Sequence, residues 1–286
     1  AAAHDDYLYT PPISVTDGVN DGVSFRLMST SSSYPEVVDL VVFQTDGTST
    51  VIGDDIEPDS HGIKFYSFTY DLSAYEGEEI RLAFHMSTQD KNLMVFDNFV
   101  SGAYSDMQTG WAGYHYSDTS WSETENWYSG TVPTGNVTIS EVTDSAAHNP
   151  TIESDISVTG LTIESNGSLT ITKDGSATIS GDFTNSGTVT MNSAADGFSS
   201  LIVSGTATGD ITYNRYVNAE GADEWDLVGS PVEGQSISDF VTANSAVIAT
   251  SGSYSAVGTY DNSDNSWENY SNTGAGWQAG DFELGT

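Results

Sequence analysis

The sequence predicts an all-β protein, and three observations carry that prediction. Its 286 residues include 28 glycines, which together with abundant Ser, Thr and Asn mark frequent turns between short strands. Several segments alternate apolar and polar side chains with period two. In Glu79–Met86 this puts Ile80, Leu82, Phe84 and Met86 on one face. In the middle of the chain, short apolar triplets recur at near-regular spacing.

Three regions follow. In region 1–103, residues 37–43 form a β-branched run suited to a buried strand, and residues 63–70 mix aromatic and polar positions as a half-buried strand does. Turn clusters at Thr16-Asp17-Gly18 and Thr45-Asp46-Gly47 separate them, which predicts an antiparallel sandwich. Region 104–215 opens on an aromatic stretch and continues into the triplets Leu161-Thr162-Ile163, Leu169-Thr170-Ile171, Ala177-Thr178-Ile179, Val189-Thr190-Met191 and Leu201-Ile202-Val203. One triplet cannot bury its apolar side alone but stacked ones can, which predicts a short β-solenoid. A meandering sheet with hairpins at Asn166-Gly167 and Asp174-Gly175 is the alternative. Region 216–286 is expected to be a small β-rich segment, with one helix over residues 236–246, capped by Ser236 or Ser238 and turning Phe240 inward.

Charge and composition exclude several partners. There are 41 acidic residues against 6 basic ones, a formal charge of -35, and the acids are spread along the whole chain. Such a surface repels nucleic acid and anionic lipid, because few cations exist to neutralise phosphates. The acidity reads either as a solvated, salt-adapted surface or as carboxylates that bind Ca²⁺. No cysteine is present, so disulfides, thiolate nucleophiles and Cys-ligated zinc are excluded. No apolar run approaches the length of a membrane span. Neither end has the pattern of a complete precursor, so the chain is expected to be an internal piece of a larger protein.

Catalytic signatures are missing from the pattern. The five histidines are scattered, and neither a His-Glu-x-x-His pair nor a Gly-x-Ser-x-Gly elbow nor a phosphate loop occurs. His85 interrupts a strand on the face opposite Phe84 and is expected to be a satisfied or exposed strand histidine. With so many acids, pairs of neighbouring carboxylates arise by chance and do not point to a glycosidase. The expectation is that this chain is not an enzyme.

A resemblance sharpens the reading. The phrases His4-Asp5-Asp6-Tyr7-Leu8-Tyr9-Thr10-Pro11-Pro12-Ile13, Tyr34-Pro35-Glu36, Tyr70-Asp71-Leu72-Ser73-Ala74-Tyr75-Glu76-Gly77 and Leu93-Met94-Val95-Phe96-Asp97-Asn98-Phe99-Val100 resemble, in that order, the cleaved-adhesin or choice-of-anchor jelly-roll modules of secreted Bacteroidota proteins. Trp127-Tyr128-Ser129-Gly130-Thr131-Val132-Pro133 is similar to a linker that leads into solenoids in the same proteins. The stretch from Trp225 to Phe240 resembles the segment before the sorting domain of type IX secretion cargo. The resemblance implies an extracellular or outer-surface, non-catalytic adhesion or substrate-targeting protein. Its expected partners are an extracellular glycan, a surface protein or copies of itself. A subunit of an extracellular filament or sheet, and the accessory tail of a secreted hydrolase, are the alternatives.

Two candidate sites follow. The resemblance implies calcium fastening the first strand to the last, with Asp5, Asp6 and Asp97 as ligands. Asp54, Asp55, Glu57 and Asp59 form a second acidic run, read as a solvated loop, and Asp261-Asn262-Ser263-Asp264-Asn265 is read as a turn. The second candidate is a glycan platform of flat rings from Trp111, Tyr114, Trp121 and Trp127, with Tyr116 and Tyr128 beside them and Asp118 or Asn126 bonding hydroxyls. The competing reading is that these rings cap the open end of the solenoid.

Overall fold

A computed structural model describes residues 5–31, 34, 36–58, 65–87, 93–113, 118–142, 148–218, 226, 228–230, 232–271 and 280–282. The protein is almost all β, with 49% strand and 8% helix. It divides into two compact units, Ala1–Tyr216 and Val217–Thr286, so the sandwich and the solenoid segment pack together as one body.

The sandwich comprises β1 (Asp6–Tyr9), β2 (Ile13–Ser14), β3 (Gly22–Ser29), β4 (Val38–Gln44), β5 (Ser49–Ile56), β6 (Tyr66–Asp71), β7 (Glu79–Met86) and β8 (Met94–Gly102). One sheet runs β1-β7-β4-β5, with β2 pairing β7 farther along, and the other runs β6-β3-β8. The pairings are antiparallel. The order β2-β7-β4-β5 facing β8-β3-β6 is that of a jelly roll. β1 and β2 are two halves of one edge strand, interrupted at Pro11-Pro12, where missing amide donors are tolerated only because the strand lies at the edge. The inner faces contribute Val38, Leu40, Val42, Ile80, Leu82 and Phe84 from one sheet and Val23, Phe25 and Leu27 from the other. Phe25 meets Phe84 edge-on at 4.8 Å.

After the sandwich comes α1 (Tyr104–Thr109). Asp21, its side chain accepting the amides of Tyr104 at 2.8 Å and Gly18 at 3.1 Å, fastens the start of this helix to the sandwich. These bonds hold the Asp21 carboxyl below the usual carboxylate range, the Tyr104 amide contributing most. At Gly22 an added Cβ would come within 2.7 Å of the Tyr104 Cα, so the close approach of α1 requires glycine.

Among the described residues the central region forms twelve short strands: β9 (Asn136–Ile139), β10 (Thr151–Ile152), β11 (Asp155–Val158), β12 (Gly160–Ile163), β13 (Ser168–Ile171), β14 (Ser176–Ile179), β15 (Phe183–Asn185), β16 (Thr188–Ala194), β17 (Gly197–Phe198), β18 (Ser200–Val203), β19 (Ala207–Thr208) and β20 (Thr212–Asn214). Eleven of them stack as three parallel sheets, β9-β12-β15-β19, β10-β13-β16-β20 and β11-β14-β18, a three-sided solenoid of about 3 turns, and β17 makes a short antiparallel pair with the end of β16. Stacked partners follow the line Ile152, Ile171, Met191, Tyr213. Successive apolar triplets are therefore neighbouring sides of one coil, and their true partners lie a full turn away. Because the pairing is parallel, the hairpin alternative is excluded; Asn166 instead takes a left-handed corner at φ 67. The corners pack so closely that a Cβ on Gly175 would lie 2.2 Å from the Ile152 carbonyl oxygen.

In the second unit, α2 (Ile237–Ala243) is capped by Ser236, whose hydroxyl accepts the Asp239 amide at 3.2 Å. Ile237, Val241 and Tyr270 form its small core, with Phe240 packed against it, as the sequence suggests. With α1 present, α2 is not the sole helix. β21 (Thr250–Ser251), β22 (Tyr254–Asp261) and β23 (Ser266–Ser271) make an antiparallel sheet. The run Asp261–Asn265 is the turn between β22 and β23: Asp261 accepts the Ser263 amide at 2.7 Å and Asn265 sits at φ 58. Trp225 lies outside the described residues.

Candidate functional site

Alternation along β4 and β7 sends one row of side chains into the core and the other to the outside, and the exposed edge strand β1 adds Tyr7 and Tyr9 to the outer side. The outward rows are Tyr7 and Tyr9, then Asp39, Val41 and Phe43, then Arg81, Ala83 and His85; cross-strand register places Tyr7 beside His85 and His85 beside Asp39. An aromatic layer results. The Tyr7 ring stacks on His85 at 4.2 Å and 12°, and lies nearly parallel to Tyr9 at 5.8 Å. Phe43 meets the two tyrosines at 6.0 and 5.4 Å. Val41 and Ala83 belong to the same outward rows and are buried there, as residues beneath a layer of rings are. The rings themselves stay open, with Tyr7 39% and Tyr9 49% exposed, and Val51 on β5 extends the apolar surface opposite Val41.

Carboxylates border this layer. Asp5 reaches the His85 Nε2 at 3.0 Å, and Asp39 lies 3.5 Å from the Nδ1. Beyond Asp39, a bulge in β5 brings up Asp54 and Asp55; Asp55 takes φ 47 and its amide donates to the Asp39 Oδ1 at 3.0 Å. Oxygens of Asp39, Asp54 and Asp55 lie within 4.8 Å of one another, the one such trio of metal-type ligands among the described residues. Three carboxylates in one place suit a hard, oxygen-seeking cation such as Ca²⁺. Partial burial raises the Tyr7 phenol above its ordinary range, with the negative charge of Asp5, then Tyr9 and Asp39, adding to the effect. Tyr7 therefore stays a neutral hydrogen-bond donor through the physiological range.

The sequence-predicted ligands are arranged differently. Asp5 and Asp6 sit at the first sheet's edge strand, whereas Asp97 is on β8 of the opposite sheet. Asp97 is exposed and accepts the amide of Asn98, which takes φ 50. Among the described residues these three carboxylates do not come together as a ligand group. Asp54 and Asp55, read as part of a solvated loop, belong to β5 and converge with Asp39; Asp59 lies outside the described residues.

Of the two readings of the tryptophans, their burial fits the cap. Trp111, Trp121 and Trp127 are 5%, 2% and 0% exposed and belong to the solenoid core. Trp127 sits edge-on to Trp111 at 5.1 Å and to Trp121 at 4.8 Å, and its indole N–H donates to the Trp121 carbonyl at 2.9 Å. The Trp111 indole donates to the His148 carbonyl at 2.7 Å. Asn126 is fully buried, its amide donating to the carbonyls of Asp118 and Ser120. No ring face of these tryptophans is left for a sugar. They close the coil's first turn, which would otherwise open its core to water. Tyr114 and Tyr116 lie outside the described residues.

The lead-in segment also locks the coil to the sandwich. The Tyr128 carbonyl accepts hydroxyls from Thr69 at 2.6 Å and Ser24 at 3.3 Å. Arg26 on β3 pairs with Glu125 at 3.8 Å, both side chains being under 10% exposed. The sandwich that carries the aromatic layer is thus joined to the coil within one compact unit.

Comparison with known families adds one match. Residues 110–278 match a family described as a domain of unknown function, DUF8693, a stretch that covers more than half of the chain. The chain belongs to this family. The DUF8693 match begins at the tryptophan lead-in and runs through the solenoid into the second unit; the sandwich with its aromatic face precedes it. No curated protein matches the chain. Among the described residues, no helix is long and apolar enough to cross a membrane.

Proposed function

We propose that this chain is a non-catalytic recognition protein of the cell exterior, in which the jelly-roll sandwich makes contact and the solenoid holds it at a distance. The observation that carries this reading is the exposed pair Tyr7 and Tyr9 on the first sheet, with the half-buried Phe43 packed against them. Large apolar rings left open on a soluble surface mark a contact site. A solenoid of parallel strands braced by a buried tryptophan cap suits a stiff spacer. The acidity fits a salty exterior, and without cysteine the chain holds together by packing. The resemblance to cleaved-adhesin modules and to type IX secretion cargo supports export to the outer surface. Calcium at Asp39, Asp54 and Asp55 would order the β5 bulge at the border of the contact face.

Adsorption tests this directly. The labelled chain is incubated with cellulose, chitin and collagen films, in CaCl₂ and in EGTA, and soluble fragments are assayed alongside. The expected result is saturable adsorption to at least one film, weaker in EGTA, with no fragments released. Fragment release, or no adsorption to any film, contradicts the reading; adsorption unchanged by EGTA removes calcium from it.

A further inference from the structure

We propose that the outer face of the first sheet binds a neutral polysaccharide, with Tyr7 and Tyr9 stacking on pyranose faces and the exposed Asp5 beside them accepting bonds from its hydroxyls. The inference rests on the recognition reading above and names its ligand class.

Four features converge on that class. Tyr7 and Tyr9 stand nearly parallel, 20° apart, with centroids separated by 5.8 Å, a spacing comparable with the length of a sugar unit along a chain. The apolar faces of pyranose rings stack on such aromatic planes, and the phenol hydroxyls at the ring tips can donate and accept hydrogen bonds. Carboxylates stand beside the rings instead of being cleared from them: Asp5 and Asp39 flank His85, the ring on which Tyr7 stacks. Ionised carboxylates are acceptor-only groups, suited to the dense hydroxyl donors of a sugar. A protein partner would instead favour an interface core depleted of charge.

The edge position of β1 leaves the ring row open along one side, which admits an extended polymer. Charge then selects among polymers. With 41 acidic residues against 6 basic ones, uronic-acid and sulfated chains are repelled, whereas neutral chains are not. Along the outward rows the cationic group is Arg81, opposite Phe43, and one of its guanidinium nitrogens donates to the Thr10 carbonyl at 3.3 Å. The tryptophans of the solenoid cap, being buried, contribute nothing to this face.

Affinity electrophoresis of the full chain tests the proposal, in native gels cast with mixed-linkage β-glucan, galactomannan or alginate. The expected result is retardation by at least one neutral polysaccharide and none by alginate. Tyr9→Ala and Asp5→Asn, both at exposed edge positions, should each weaken retardation, Tyr9→Ala by about tenfold in apparent affinity. Trp267→Ala removes an exposed ring of the second unit and should leave retardation unchanged. A melting curve for each variant shows that it is folded. Retardation that survives Tyr9→Ala and Tyr7→Ala overturns the assignment, as does a folded wild-type chain that no neutral gel retards. If that chain still adsorbs to collagen, the recognition reading stands and only the glycan assignment falls. If it retards and also cleaves the polysaccharide, the surface stands and the non-catalytic reading falls.

Discussion

Replacing Trp127 by Ala is expected to destabilise the first unit by about 3–5 kcal/mol, because a fully buried aromatic leaves both lost transfer energy and a cavity. Trp127 is 0% exposed and touches Trp111 and Trp121 edge-on. Its removal also strips the Trp121 carbonyl of the indole donor. Against a total of roughly 5–15 kcal/mol for a folded domain, a loss of that size takes much of the margin. Urea unfolding followed by tryptophan fluorescence and circular dichroism would measure it. Trp127→Phe keeps most of the ring and should cost distinctly less. Were the tryptophans a sugar platform and not a cap, Trp127→Ala would leave stability unchanged within about 0.5 kcal/mol, as exposed substitutions do.

The second large effect is expected at Arg26–Glu125. Removing one partner of a buried ion pair weakens the compensation of the other charge away from water, at a cost of up to about 3–5 kcal/mol, whereas replacing both by apolar residues is often near neutral. Arg26→Met should therefore unfold at clearly lower urea than wild type. Arg26→Met with Glu125→Leu should recover most of the difference, the non-additivity of residues in contact. The pair joins β3 of the sandwich to the lead-in of the coil. If coil and sandwich melt together in wild type but separately in Arg26→Met, this contact couples them. Additive single effects would contradict a buried pair.

How far these features could be read from the sequence depended on how local their cause is. Period-two alternation in Glu79–Met86 is a local signal, and the strand stands where the pattern puts it. The triplets at Leu161, Leu169 and Ala177 announce a solenoid, yet their register depends on which sides stack, and that is set by the length of a full coil. Phe183, which pairs with Leu161 a turn earlier, was missed because Phe183-Thr184-Asn185 ends on a polar residue. The aromatic face was harder. Asp39 lies within the run 37–43 that reads as wholly buried, since Val41 is sequestered under rings supplied by β1, far away in the chain. The available cue was Tyr7-Leu8-Tyr9, whose alternation points both tyrosines the same way. For Asp54 and Asp55 the cue was weaker still, because only a bulge in β5 turns an acidic run towards Asp39.

The most direct measurement is hydrogen–deuterium exchange of the full chain, with and without the neutral polysaccharide that retards it. Recognition by the outer face of the sandwich predicts slower exchange in residues 6–9, 39–43 and 81–85, with the solenoid unaffected. Protection confined to residues 136–214 would contradict it, for the coil would then be the binding surface and the aromatic face would not.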